Sequence, residues 1–124
     1  MAAFRAGVAA GATHLELDVH ATRDGRIVVL HDATLDRTTD VIGAVKDQDW
    51  ATVMTADAGA RFVDASGVAT YVGRGVRIPL LEDVLAEFPV IPLNVEVKQA
   101  RPEIVADVVA LVDRFRAADR VLLA

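Results

Sequence analysis

A chain of 124 residues, 53% hydrophobic and 25% charged, is long enough for one domain with a real core and too apolar for a disordered segment. Its net charge of -5, with no cluster of Lys or Arg, argues against nucleic acid and anionic membrane surfaces as partners. Charges interrupt every apolar stretch short of the ~20 residues a membrane span needs, and the absence of cysteine excludes disulfides and thiolate metal sites.

The opening residues, MAAFRAGVAAGATHLE, lack the sustained apolar core of a signal peptide, so the expectation is a cytoplasmic product. Within them Ala2–Ala10 reads as a short helix, with Phe4 and Val8 one turn apart and Gly11 as its stop. The next stretch, LELDVHATRDGRIVVLHD, alternates as a strand does: His14, Glu16, Asp18 and His20 share one parity, Leu15, Leu17 and Val19 the other. Asp24-Gly25 is a hairpin signal, because both residues tolerate the positive φ of a tight turn. With those two residues as the tip, Arg23 faces Arg26 and Asp18 comes opposite His31, which would bring carboxylates and an imidazole together for metal-assisted acid/base chemistry.

Asp32–Asp47 is polar and turn-rich, a loop over the site. Gln48–Ala60 carries a weak helical stripe of Trp50, Val53 and Met54, and Arg61–Arg77, with three glycines, reads as a long irregular loop. Pro79 opens a helix over Leu80–Glu87, with Leu81, Val84, Leu85 and Phe88 on one face and Glu82 and Asp83 in the first turn. Val90–Lys98 is a second strand, presenting Leu93, Val95 and Val97 on one side and Asn94, Glu96 and Lys98 on the other. A helix then runs from Pro102 or Glu103 to Arg116 on the stripe Ile104, Val108, Leu111, Val112 and Phe115, and Arg120–Ala124 reads as another strand. Strands alternating with helices imply βαβ units around a parallel sheet.

Read from spacing alone, Glu16 and Asp18 are either two charges on a solvent-facing strand or two ligands for one cation. Glu96 is likewise a surface or ion-paired carboxylate, or a third ligand, and Lys98 either a salt-bridge partner of Glu96 or Asp18 or a point charge for a phosphate oxygen. His31, at the junction of strand and loop, is either a structural histidine or a group at a common address for catalytic residues. His14 and His20 read as structural or exposed, and Arg37 and Trp50 as loop anchor and core.

The run AFRAGVAAGATHLELDVHATRDGRIVVLHDATLDRTTD, followed by IPLLEDVL and NVEVK, resembles the glycerophosphodiester phosphodiesterase family over nearly the whole chain and in the right order. The resemblance implies an α/β fold: roughly the first half of a TIM (β/α)8 barrel of the phospholipase C-like phosphodiesterase type. It implies a family strand ending in His-Arg-Gly and a Glu-Asn-Thr loop before the first helix, and neither is in these residues. A half barrel leaves open sheet edges that invite a homo-oligomer or a partner.

It also implies hydrolysis of a small-molecule glycerophosphodiester to glycerol 3-phosphate and an alcohol. Glu16, Asp18 and Glu96 would hold one divalent cation, Mg²⁺ or Ca²⁺ given an all-oxygen set. His31 would be one of two catalytic histidines and Lys98 a substrate phosphate contact. With the second histidine, its arginine and a glutamate absent, the chain by itself is expected to be nearly or wholly inactive. The alternatives are a related phosphatidylinositol phospholipase C or sphingomyelinase D-like diesterase, a glycoside hydrolase, which would not need His31 or Lys98, and a non-catalytic anion-binding module.

Overall fold

The computed structural model describes every residue from Met1 to Ala124. The chain runs α1 (Ala2–Ala9), β1 (Leu15–Ala21), β2 (Ile27–Val29), a short helix α2 (Trp50–Val53), α3 (Leu81–Glu87), β3 (Leu93–Val97), α4 (Val105–Arg114) and β4 (Val121–Leu123). The strands form one sheet in the order β2-β1-β3-β4, with β1, β3 and β4 mutually parallel and β2 antiparallel at the edge. No helix is long and apolar enough to cross a membrane.

Local signals account for the element ends. Helix α1 closes in a Schellman motif: the Gly11 N–H donates to Val8 O and the Ala12 N–H to Gly7 O, with Gly11 at φ 98°. At the start of α3 the Asp83 carboxylate accepts from the Leu80 N–H. The stripe of α4 is as expected, with Ile104, Val108 and Val112 buried, although the helix starts later than Pro102.

The hairpin differs from the sequence expectation by one residue. Its loop holds three residues, Arg23-Asp24-Gly25: the Thr22 N–H donates to Arg26 O, the Gly25 N–H to Thr22 O, and Gly25 sits at φ 81°. This is a turn followed by a left-handed residue, the commonest three-residue solution. The Thr22 hydroxyl favours it, accepting from the Arg26 N–H and donating to the Asp24 carboxylate. Val19 therefore pairs with Val29, and Asp18 comes opposite Leu30, not His31. His31 lies beyond the paired strand, which ends at Val29, and on its outer side the Val29 N–H donates to Pro79 O.

One face of the sheet is apolar. Leu15, Leu17 and Val19 join Leu93 and Val95 and the buried faces of α3 and α4 in a cluster of 15 buried residues, capped by the edge-to-face pair Phe4 and Phe88. A second cluster of seven, including Leu35, Val45, Val53 and Ile78, lies beside it. It explains why residues 32–80 are ordered with so little regular structure: the loop carries its own core, and its Arg61–Arg77 part contains neither helix nor strand, as expected.

Leu81 is fully buried where α3 meets the sheet. Leu81→Ala is expected to cost about 2–5 kcal/mol of stability, and Val90→Ala, at an exposed position, less than about 0.5 kcal/mol, both read by urea unfolding.

Candidate functional site

The opposite face of the sheet carries the chemistry. In the parallel register Glu16 lies beside Asn94 and Asp18 beside Glu96, so the i, i+2 spacing of β1 and the strand neighbour together gather three carboxylates. One oxygen of each of Glu16, Asp18 and Glu96 lies within 4.8 Å of the others. Three such charges repel one another unless a cation sits among them. Lys98 supplies one, its Nζ 2.6 Å from Glu96 Oε1 and 3.3 Å from Asp18 Oδ1. The hydrogen bond from Lys98 lowers the Glu96 pKa against some desolvation, and the same bond raises that of Lys98. The expected ion pair of Lys98 is therefore present, to both carboxylates.

The donor set fits a hard divalent cation: oxygens only, from carboxylates on rigid strands. Asn94, the neighbour of Glu16 across the sheet, holds a buried Oδ1 with no hydrogen-bond partner, a further carbonyl oxygen on the same face. Glu16, Asp18 and Glu96 are the residues that would hold such an ion.

His31 stands at the rim, 69% exposed at its side chain, close enough to Glu96 for its charge to act on that carboxyl. Its Nδ1 donates to Asp32 Oδ1 at 2.8 Å, which leaves Nε2 as the free nitrogen. Asp32 is in turn clamped by Arg37, whose Nε reaches Oδ2 at 2.6 Å and Nη2 reaches Oδ1 at 2.8 Å. These hydrogen bonds, from Arg37 first and His31 second, hold the Asp32 carboxyl well below the usual carboxylate range. His31 is thus placed at the rim by its loop and by Asp32, not opposite Asp18 by the strand pairing the sequence suggested.

Arg37 anchors its loop as expected, and does so through the partner of His31, a link that the spacing of Asp32 and Arg37 in HDATLDR could have signalled. His20 is structural and buried, with Nε2 donating to the His31 carbonyl at 3.3 Å, so it supports the same junction. His14 is exposed against Thr13, and Trp50 packs half-buried on the second cluster.

A mostly parallel sheet flanked by helices on one face, with acidic and basic side chains gathered on the other, is the arrangement of part of an α/β barrel with its polar site on the sheet. The family model of the glycerophosphoryl diester phosphodiesterase family matches residues 1–122, and the chain belongs to this family. It is 36% identical over 129 residues to a glycerophosphodiester phosphodiesterase of Bacillus altitudinis, covering 99% of this chain and 50% of the relative. The crystal structure of a glycerophosphodiester phosphodiesterase from Agrobacterium tumefaciens str. C58 matches with a TM-score of 0.83 and 31% identity, over 99% of this chain and 49% of that one. A phosphodiesterase of Oleispira antarctica, solved with the product sn-glycerol-3-phosphate, matches with a TM-score of 0.81 and 26% identity, over 98% and 49%. The chain spans about half the length of the curated relatives it matches, and its sheet is the corresponding part of a TIM barrel.

Because the folded pKa of Asp32 lies below its unfolded value near ~4, its contribution to stability is complete above that value and is lost as pH falls through the depressed one. Asp32→Asn is expected to flatten the acid limb of a melting-temperature profile between about pH 5 and pH 2. Parallel profiles for the two proteins would contradict the clamp.

Proposed function

We propose that this chain carries the cation-binding and phosphate-binding part of a metal-dependent glycerophosphodiester phosphodiesterase, which converts a glycerophosphodiester and water to glycerol 3-phosphate and an alcohol. The observation that carries the reading is the meeting of Glu16, Asp18 and Glu96 within 4.8 Å, with Lys98 bridging two of them, in a chain of this family. The relative solved with sn-glycerol-3-phosphate supports the product assigned.

A divalent cation held by the three carboxylates, Mg²⁺ or Ca²⁺, would neutralise phosphate oxygens and lower the pKa of the attacking hydroxyl. Lys98 offers a point charge to a phosphate oxygen, exchanging part of its contact with Asp18 for the substrate. His31 moves a proton through Nε2, while Asp32 accepts from Nδ1 and thereby fixes tautomer and ring orientation. Arg37 keeps Asp32 ionised and in place, so that the histidine is aimed before substrate arrives.

Hydrolysis of a diester needs both a base for the nucleophile and an acid for the departing alcohol. Among these residues one imidazole, that of His31, keeps a free nitrogen at the rim of the site, since His20 is buried against a carbonyl and His14 is exposed against Thr13. One positioned acid or base contributes about 10²–10⁴-fold, so these 124 residues alone are expected to turn over slowly or not at all while still binding the ion.

Titration calorimetry with Mg²⁺ and Ca²⁺ tests the cation site directly. Asp18→Asn and Glu96→Gln are each expected to weaken binding by at least about tenfold, the low end of what even an outer partner of a metal ligand costs. Unchanged affinity in both variants would remove the basis of the reading. In an assay with glycerophosphocholine the chain is expected to show little or no metal-dependent turnover; any turnover that survives His31→Ala would overturn the role given to that residue.

A further inference from the structure

Beside the carboxylate cluster lies a cavity of about 180 Å³ that the reaction described above does not use, lined by His20, Lys46, Lys98, Gln99 and Arg101 with three alanines. Its walls come from four places in the sequence: the end of β1, the loop just after β2, the stretch around the turn Val45–Asp47, and the segment that follows β3. Two of the lining side chains are buried and held. His20 donates to the His31 carbonyl, and Gln99 accepts from the Ala21 N–H and donates to Pro102 O. The charged lining is of one sign, since three side chains are cationic and none is a carboxylate. Lys98 spends its charge on Glu96 and Asp18, whereas Lys46 and Arg101 take part in none of the ion pairs of the chain.

Lys98 belongs to both places: it lines the cavity and touches two of the three carboxylates. A diester whose phosphate sits at Lys98 therefore extends one of its ester arms into the cavity. Glycerol is uncharged and gains nothing particular from unpaired cations. A quaternary ammonium is worse placed, because the lining has neither the carboxylate nor the Phe, Tyr or Trp face that recognises such a cation. An arm ending in a carboxylate gains charge-assisted hydrogen bonds from Lys46 and the planar fork of Arg101. The volume suits such a head group and is too small for a whole drug-sized ligand, whose pockets run to ~300–1,000 Å³.

We propose that this cavity is the head-group subsite and that it selects glycerophosphodiesters whose alcohol carries a carboxylate. The assignment rests on the diesterase reading and adds a specificity that Lys46 and Arg101 impose.

A matched pair of probes isolates the one group in question, because glycerophosphoserine and glycerophosphoethanolamine differ by a single carboxylate. Affinities of the chain for both are measured by calorimetry with Mg²⁺ present. Glycerophosphoserine is expected to bind about tenfold tighter, the effect of one added charge-assisted hydrogen bond. The double variant Lys46→Met, Arg101→Met is expected to bring the ratio close to one, and Lys46→Arg to keep it. Reading a ratio within each protein cancels any general loss from misfolding. Equal affinities in the unaltered chain, or a preference that survives the double substitution, overturn the subsite and leave the diesterase reading standing. Absence of affinity for either diester overturns both.

Discussion

The parallel pairing of β1 with β3 is the constraint on which the site depends. Leu15 aligns with Leu93 and Val19 with Val97, and that alignment sets Asp18 beside Glu96. Register in such a sheet is not free. A slip of one residue along β1 would turn Leu15, Leu17 and Val19 away from α3 and α4 and bury Glu16 and Asp18 among aliphatic groups. The hydrophobic effect on one face thus enforces the placement of carboxylates on the other. The acidic cluster needs no attractive force of its own to assemble, and its mutual repulsion is met by Lys98, whose ammonium reaches both Asp18 and Glu96. Such an arrangement is suited to a cation, because the repulsion that a bound ion would relieve is already held in place by packing.

The histidine is positioned by other means. His31 lies past the last paired residue of β2, and no strand dictates where its ring goes. Its orientation comes from Asp32, from Arg37 five residues later and from the buried His20 below its carbonyl. The loop that carries Asp32 and Arg37 is itself tied down by Leu35 and Val45 in the second apolar cluster. A rim residue on an irregular segment is in this way given a defined position, as the proton-transfer role proposed for it would require.

The same loop closes the cationic cavity through Lys46, directly after the buried Val45. One segment therefore positions both His31 and the cationic lining of the cavity, while the β1–β3 pairing positions the carboxylates.

Much of this was written plainly in the sequence. Alternation in LELDVH and LNVEVK determined both strands and which residues share a face, because a pleated backbone sends neighbours to opposite sides whatever surrounds it. Periodicity likewise determined α3 and α4, and the ordered string of motifs determined the family. The register of the hairpin was not legible from Asp24-Gly25, since a two-residue and a three-residue loop both use that pair; the Thr22 hydroxyl, accepting from the Arg26 N–H and donating to Asp24, favours the longer one. Nor did the sequence reveal that Arg37 clamps the carboxylate that holds His31, that Asn94 keeps a buried oxygen without a partner, or that Lys46 and Arg101 flank one cavity. Local patterns report what a backbone does over a few residues. Which side chains meet after the chain has crossed the sheet and returned is settled by packing between segments tens of residues apart, and only the tertiary structure decided it.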